Sequence, residues 1–181
     1  REVVDNILVI VVTSNRGLAG PFNANINKAA MAFLKEHHAE KLDAGKVQFM
    51  CMGRKGYDFF RKNGFNVNGQ NFDVFQKLSF DTVDEVTTMA FEKFLSGEVD
   101  KVYLAFNEFK NVMSQNRIVE PLLPLSVDDL GEEKEASEGG LQSDYIYEPG
   151  REEILTELIP KALRLQVFRS VLESNAAEQG A

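Results

Sequence analysis

The stretch that decides the fold reads Val9-Ile10-Val11-Val12-Thr13-Ser14-Asn15-Arg16-Gly17-Leu18-Ala19-Gly20-Pro21-Phe22-Asn23-Ala24-Asn25-Ile26. A β-branched run ends in a polar, glycine-bearing turn, and a helical pattern follows at once, which is an arrangement that holds phosphate groups well. However, a dinucleotide fingerprint needs three spaced glycines, and only Gly17 and Gly20 are present. A Walker loop needs Gly, four residues and then Gly-Lys-Ser/Thr, and nothing at that spacing supplies the lysine and the hydroxyl residue. The turn therefore resembles a phosphate cradle without the residues that such a cradle uses.

Apolar, strand-like runs alternate with longer helical patterns along the chain. The predicted strands are Ile7 to Thr13, Val47 to Met52, Lys101 to Asn107 and Arg117 to Leu125, with a weakly extended stretch from Phe65 to Phe75. The predicted helices are Asn23 to Lys41, Tyr57 to Asn63 closed by Gly64, and a helix capped by Asp81 that runs to about Leu95. Pro121 and Pro124 predict that the last strand lies at an edge of the sheet or is irregular at its end. This alternation predicts an α/β fold, a Rossmann-like three-layer domain with a mostly parallel sheet.

The end of the second predicted strand argues against a nicotinamide cofactor. A dinucleotide domain places an acidic residue there for the ribose hydroxyl, whereas this chain has Met52, Gly53 and Arg54. The arginine leaves open a contact with a 2′-phosphate.

The charge balance bears on the kind of partner. A net charge of −8 argues against a general nucleic-acid binder. A local basic cluster is interpreted as a solvated helix face, with an anion-binding patch as the alternative: Arg54, Lys55, Arg61 and Lys62.

The residues that most often bind metals or react are few. Cys51, the single cysteine, lies in an apolar run and is predicted to be a buried, unreactive thiol. His37 and His38 lie side by side in a polar helical stretch, and we interpret both as solvated rather than as metal ligands.

An acidic segment covers residues 128–140 and ends in two glycines. Its composition favours a flexible, solvated loop. The alternative is an electrostatic contact with a basic partner. After it, Leu141 to Tyr147 is predicted to be a final strand, with Tyr145 and Tyr147 on the face opposite Ile146.

The C-terminal segment carries a helical pattern from Glu148 to the end of the sequence. Pro160 is expected to kink this helix or to join two helical pieces. The pattern reaches Ala181 with no capping residue, and we interpret it as the start of a longer helix.

These motifs closely resemble those of the gamma subunit of the F-type ATP synthase. The family has Thr-Ser-Asp-Arg-Gly-Leu-Cys-Gly-x-Phe-Asn at its first turn, which Thr13 to Asn23 match except at Asn15 and Ala19. The likeness continues in the family's order through Gly53-Arg54-Lys55-Gly56, Phe59-Phe60-Arg61, Val102-Tyr103-Leu104-Ala105-Phe106-Asn107-Glu108-Phe109-Lys110-Asn111-Val112-Met113-Ser114-Gln115, Tyr145-Ile146-Tyr147-Glu148-Pro149, Glu153-Ile154-Leu155 and Glu173 to Ala181.

The resemblance implies a non-catalytic rotor part of the proton-translocating ATP synthase. Residues 1–149 would be the globular foot of the central stalk, and residues 150–181 the beginning of the C-terminal coiled-coil helix. In the family, two long helices form an axle inside the catalytic head, and of the first helix only Arg1 to Asn6 would remain here. The implied partners are the epsilon subunit, the c-ring of the membrane sector and, mainly through the missing helices, the α and β subunits. The implied location is peripheral, on the cytoplasmic face of the bacterial inner membrane.

The resemblance implies no catalytic residue, cofactor or metal ligand, and the candidate site residues are therefore partner contacts. They lie at the turn after the Lys101 strand and in the final predicted strand: Asn107, Glu108, Lys110, Asp144, Tyr145 and Tyr147. Tyrosine is favoured at interfaces, although both tyrosines could equally cover the sheet.

Two other functions stay open at this point. One is a nucleotide- or cofactor-binding enzyme module of Rossmann-like type, with its ligand at the turn from Asn15 to Gly20. The other is a free-standing adaptor that uses its acidic segment, Asp128 to Glu138, to hold a basic partner.

Overall fold

The computed structural model describes residues 3–13, 22–68, 80–111, 114–125 and 150–180. The strands are β1 (Ile7–Val12), β2 (Val47–Met52), β3 (Asn66–Val67), β4 (Lys101–Asn111) and β5 (Ser114–Leu123). The helices are α1 (Phe22–His37), α2 (Ala39–Asp43), α3 (Arg54–Lys62), α4 (Phe80–Leu95), α5 (Arg151–Glu153), a π-helical turn (Ile154–Leu158) and α6 (Ile159–Gly180).

The five strands form one sheet in the order β3-β2-β1-β4-β5. Among the described strands, the pairs β2–β3, β1–β2 and β1–β4 are parallel, and only β4–β5 is antiparallel. Val11 of the central strand aligns with Cys51 on one side and Ala105 on the other. The predicted α/β fold with a mostly parallel sheet is confirmed, and among the described strands β5 lies at one edge of the sheet, as predicted.

The sheet is covered on both faces, because alternate residues of a strand point to opposite sides. One face packs against α4 and α6 and holds Leu8, Ile10 and Val12 of β1. The other face packs against α1 and α3 and holds Ile7, Val9 and Val11. Both faces of β1 are therefore core, which explains its unbroken apolar sequence.

Several boundaries differ from the sequence prediction. The helix expected from Asn23 to Lys41 is divided at His38, whose φ of −142° and ψ of 40° are not helical. The helix α3 begins at Arg54 rather than Tyr57. Asp81 is not the cap predicted for α4: it lies inside the helix, in its first turn, where a carboxylate still interacts favourably with the helix dipole. Gly64 follows α3 with a φ of +82°, as expected for a left-handed cap.

The C-terminal helix interrupts its α-helical hydrogen bonding just before Pro160. The π-helical turn Ile154–Leu158 separates α5 from α6, so the predicted junction of two helical pieces is confirmed. Proline lacks the amide that a regular α-helix would use, and a single π-helical turn is one of the known forms of irregularity inside an α-helix. Beyond the junction, α6 buries Leu163, Val167 and Val171 in the core that it shares with α4.

Three predicted structural elements lie wholly or partly outside the described residues. These are the extended stretch beyond Asn68, the loop character of residues 128–140 and the strand from Leu141 to Tyr147. Within the part of the chain that is described, no helix is both long and apolar enough to span a bilayer.

Candidate functional site

The candidate contact residues that the structure describes lie on the far part of β4. This strand pairs with β1 only from Lys101 to Ala105, whereas its pairing with β5 continues to Asn111. The two strands therefore extend past the carboxyl end of β1 as a hairpin arm. Asn107, Glu108 and Lys110 all lie on this arm, and Asp144, Tyr145 and Tyr147 lie outside the described residues.

The three residues on the arm differ in accessibility. Asn107 is 1% exposed, so its side chain offers almost no surface to a partner in this conformation, in contrast to the role expected for it. Glu108 is half-buried and accepts a hydrogen bond of 3.1 Å from the Asn116 amide across the hairpin. Lys110 is exposed. The predicted contact surface is thus available through Glu108 and Lys110.

The edge of β4 that lies beyond β1 is covered by α6. The backbone amide of Asn107 lies 3.3 Å from the Ser174 hydroxyl, which in turn lies 3.4 Å from the Asn107 carbonyl oxygen. One residue pair further along, the amide of Phe109 donates to the Glu173 carboxylate at 2.8 Å. Alternate residues of a strand form hydrogen bonds with opposite neighbouring strands. The backbone groups of Asn107 and Phe109 that α6 binds are therefore those that would have bonded to β1 if that strand were longer.

A third contact joins the other strand of the arm to the same helix. The Gln115 side chain donates a 2.6 Å hydrogen bond to the Ala177 carbonyl, and Ala177 is fully buried against Phe22 at the start of α1. We call these three contacts, Asn107–Ser174, Phe109–Glu173 and Gln115–Ala177, the α6 ties. No motif in the sequence marks them, because they join residues more than 60 positions apart.

The α6 ties lie beside the place where an open α/β sheet usually binds a ligand. The sheet order reverses between β1 and β4, and open α/β sheets bind their ligands in the crevice at that reversal. Here the end of α6 lies against the β4 side of the crevice. The turn from Asn15 to Gly20, the other predicted ligand contact, lies outside the described residues.

The ends of β1 and β2 meet in a tight glycine contact. Gly53 has a φ of +121°, and a Cβ placed there would lie 2.0 Å from the Thr13 carbonyl oxygen. The Gly56 amide donates a buried 2.8 Å hydrogen bond to the Thr13 hydroxyl. The Gly53-Arg54-Lys55-Gly56 motif is therefore explained by packing, since both glycines let α3 approach β1 closely.

One histidine differs from the sequence interpretation. His37 is exposed as expected, but His38 is half-buried and its Nε2 lies 2.7 Å from the Tyr103 hydroxyl. Burial, together with the charges of Lys101, His37 and Lys41, lowers the pKa of His38. Tyr103 also meets Phe33 edge-on, with ring centroids 4.8 Å apart. His38 is therefore part of the packing between α1 and β4, and its prediction as solvated was wrong.

The other candidate residues from the sequence are the single cysteine, the basic cluster and the side chains that could hold a metal ion. Cys51 is fully buried, and burial raises the pKa of its thiol to about 12, so the predicted inert thiol is confirmed. The basic cluster lies on α3, where Arg54, Arg61 and Lys62 are exposed and Lys55 is half-buried. Among the described residues, no three His, Cys, Asp or Glu side chains are grouped to hold a metal ion.

Comparison with known proteins gives consistent results along the whole chain. A family model described as ATP synthase matches residues 1–181. The ATP synthase gamma chain of Chlorobaculum parvum is 48% identical over 181 residues, which is 100% of this chain and 60% of that protein. The gamma chain of Chloroherpeton thalassium is 48% identical over 184 residues, covering 99% of this chain and 60% of that protein. This chain therefore spans about 60% of the length of these curated relatives.

Solved structures show the same fold at lower sequence identity. A chain of the central stalk and c-ring structure of the Tetrahymena thermophila mitochondrial ATP synthase aligns with a TM-score of 0.66 and 21% identity. The alignment covers 99% of this chain and 74% of that one. A chain of the Euglena gracilis mitochondrial ATP synthase rotor aligns with a TM-score of 0.58 and 18% identity, covering 98% and 64%.

Proposed function

This chain belongs to the ATP synthase family, and we propose that it is the globular part of a gamma chain, a central-stalk subunit that transmits torque between the c-ring and the catalytic α/β head. In this proposal residues 1–149 are the foot and residues 150–181 begin the C-terminal helix of the axle. The observation that carries the proposal is that proteins named ATP synthase gamma chain match this chain over essentially all of its own length.

The packing of α6 supports a mechanical role. A helix that transmits torque must not slide or rotate on the body that drives it. The buried side chains of Leu163, Val167 and Val171 fix its apolar face in the core, where close packing resists displacement. The α6 ties add directional hydrogen bonds, which fix the position of α6 along its axis as well.

The proposed subunit performs no chemistry of its own. The crevice where an open α/β sheet would bind a ligand has α6 along its β4 side, held by Ser174 and Glu173. The cysteine is buried and its thiol is held protonated. The comparisons give no support to the alternative of a nucleotide-binding enzyme module.

The proposed partners are the c-ring and the epsilon subunit at the foot, and the α and β subunits around the helices. The proposed location is the cytoplasmic face of a bacterial inner membrane, in keeping with the bacterial relatives. Glu108 and Lys110 on the hairpin arm are the described residues that we propose as contacts, since both keep accessible surface.

A calorimetric titration of this chain with the epsilon subunit of the same organism tests the proposal. We expect saturable one-to-one binding, and weaker binding by Lys110→Glu. The control is Lys161→Glu, which changes an exposed lysine on α6 away from the arm and is expected to bind as the parent chain does. A folded chain that binds ATP but not epsilon, even with both long helices restored, would contradict the rotor proposal.

A further inference from the structure

The two helical layers of this protein carry opposite charge. The layer of α1, α2 and α3 contains seven Lys or Arg and four Asp or Glu residues, whereas α4 together with residues 151–180 contains five and nine. A positive surface is therefore present on a chain whose net charge is −8. Since opposite charges attract, this positive layer favours contact with an anionic partner.

A groove runs along this positive layer between α1, α2 and α3. Its volume is about 600 Å³, and it is lined by Lys28, Met31, Ala32, Lys35, Leu42, Asp43, Phe59, Asn63 and Phe65. Four of these are large apolar side chains that stay half-buried: Met31, Leu42, Phe59 and Phe65. Their apolar surface is thus shared between the core and the groove, which makes the groove a favourable place to bury apolar atoms of a partner.

The floor of the groove is continuous with the rigid core. Phe59 and Phe65 both pack against the fully buried Phe60, with ring centroids 4.9 and 6.1 Å away. Phe60 in turn stacks on Phe49 of β2 at 4.0 Å. Because these rings are held by one another, the groove is preformed, and a partner would not have to order it on binding.

The two lysines of the groove have a spacing that fits a helix. Lys28 and Lys35 are exposed residues of α1, and seven helical residues span about 10.5 Å. Acidic side chains two turns apart on a second helix have the same separation. Among the described residues, no carboxylate lies within ion-pair distance of either ammonium group.

We propose that this groove docks an amphipathic, acidic helix of another protein chain. The apolar face of the helix would lie on Met31, Phe59 and Phe65, and its acidic residues would pair with Lys28 and Lys35. This is the helix-in-groove mode of recognition. The groove lies on the face of the sheet opposite α6, so the inference is independent of the torque path proposed above.

The first test uses two labelled 18-residue helical peptides with the same leucine face, one flanked by Glu and the other by Lys. Fluorescence anisotropy with the full chain is expected to show at least tenfold tighter binding of the Glu peptide. The double variant Lys28→Glu/Lys35→Glu should abolish this preference, while the control Lys161→Glu/Arg169→Glu, on the opposite layer, should keep it. Equal binding of both peptides, or no effect of the groove variant, would overturn the proposal.

The second test locates the natural occupant in the assembled complex. A benzophenone amino acid replaces the exposed groove residue Ala32, and the photo-cross-linked peptide is sequenced. We expect a segment of another chain with apolar residues at helical spacing and acidic residues seven positions apart, and we expect Lys28→Glu/Lys35→Glu to remove the cross-link. Cross-linking to lipid, to residues 128–140 of the same chain, or to nothing would each refute the docked helix, without bearing on epsilon binding.

Discussion

The backbone amide of Phe109 donates a 2.8 Å hydrogen bond to the side-chain carboxylate of Glu173, and this bond joins the free edge of β4 to α6. Glu173→Ala removes the acceptor, so we expect the free energy of unfolding to fall by about 1 kcal/mol. Glu173→Gln keeps an acceptor oxygen, so its free energy of unfolding should fall by less. Urea unfolding measures both values, and Glu157→Ala, at an exposed position of the π-helical turn, is the control. A loss at Glu157 equal to that at Glu173 would show that the bond contributes nothing.

The α6 ties also predict an effect on coupling in the assembled enzyme, if the rotor proposal holds. In Gln115→Ala/Glu173→Ala/Ser174→Ala, the hairpin arm loses its side-chain bonds to α6, while the buried apolar contacts remain. We expect near-normal ATP hydrolysis but weaker ATP-driven proton pumping, because the foot follows the helix less faithfully. Both activities are measured on the same membranes. Unchanged pumping at unchanged hydrolysis would show that the ties carry no torque.

The central strands of the sheet could be predicted because each of them has a recognisable local sequence pattern. Val47 to Met52 is predicted with the boundaries that the structure shows, since a short, mostly apolar run between polar turns is typical of a buried strand. The predicted strands were shorter than the hairpin arm, because residues 108–116 are mostly polar and the apolar pattern is lost once the strands leave the core. Residues paired at the edge of a sheet carry little periodic signal.

The site was less predictable than the fold. Asn107 was predicted to be a partner contact because it follows an apolar strand. Its burial depends on α6, where its hydrogen-bond partner Ser174 lies 67 residues further along the chain. The same holds for His38, whose hydroxyl partner Tyr103 is 65 residues away. Hydrogen bonds between distant segments follow from the packed structure and leave no spacing rule in a single sequence.

Gly53 is predicted to be the glycine least tolerant of substitution among those described. In Gly53→Ala the new Cβ would lie 2.0 Å from the Thr13 carbonyl oxygen, and the backbone has a φ of +121°. We expect a loss of more than about 3 kcal/mol, or failure to fold, because strain and overlap act together. Gly97→Ala is the matched control, since Gly97 also has a positive φ, of +84°, but nothing within 4 Å of the added atom. Thermal unfolding should show a loss of only about 1 kcal/mol for the control. Equal losses would mean that the contact with Thr13 is unimportant.

Cys51 should be almost unreactive in the folded chain. Burial raises the pKa of its thiol from 9.0 to about 12, which reduces the thiolate fraction at pH 8 about a thousandfold. Ellman's reagent should therefore label the folded chain very slowly and the urea-unfolded chain rapidly. The variant Ala32→Cys/Cys51→Ser, with an exposed thiol at a groove position, should react rapidly in both states. Fast labelling of Cys51 in the folded chain would show that β2 opens readily to solvent.

His38 predicts a loss of stability on mild acidification. Its pKa in the folded chain is lowered below the ordinary value of 6.5, first by burial and then by the positive charges around it. As the pH falls below about 6.5, the unfolded chain therefore takes up a proton before the folded chain does, so the free energy of unfolding decreases. We expect this decrease between pH 7.5 and 5.5, measured by urea unfolding, to be smaller in His38→Gln, which has no proton to bind. In His37→Gln, which changes the exposed neighbour and keeps the His38–Tyr103 pair, the decrease should persist. If both variants show the same decrease as the parent chain, the His38–Tyr103 pair is not responsible for the acid sensitivity. The contact of α1 with β4 would then depend on the packing of Phe33 on Tyr103 instead.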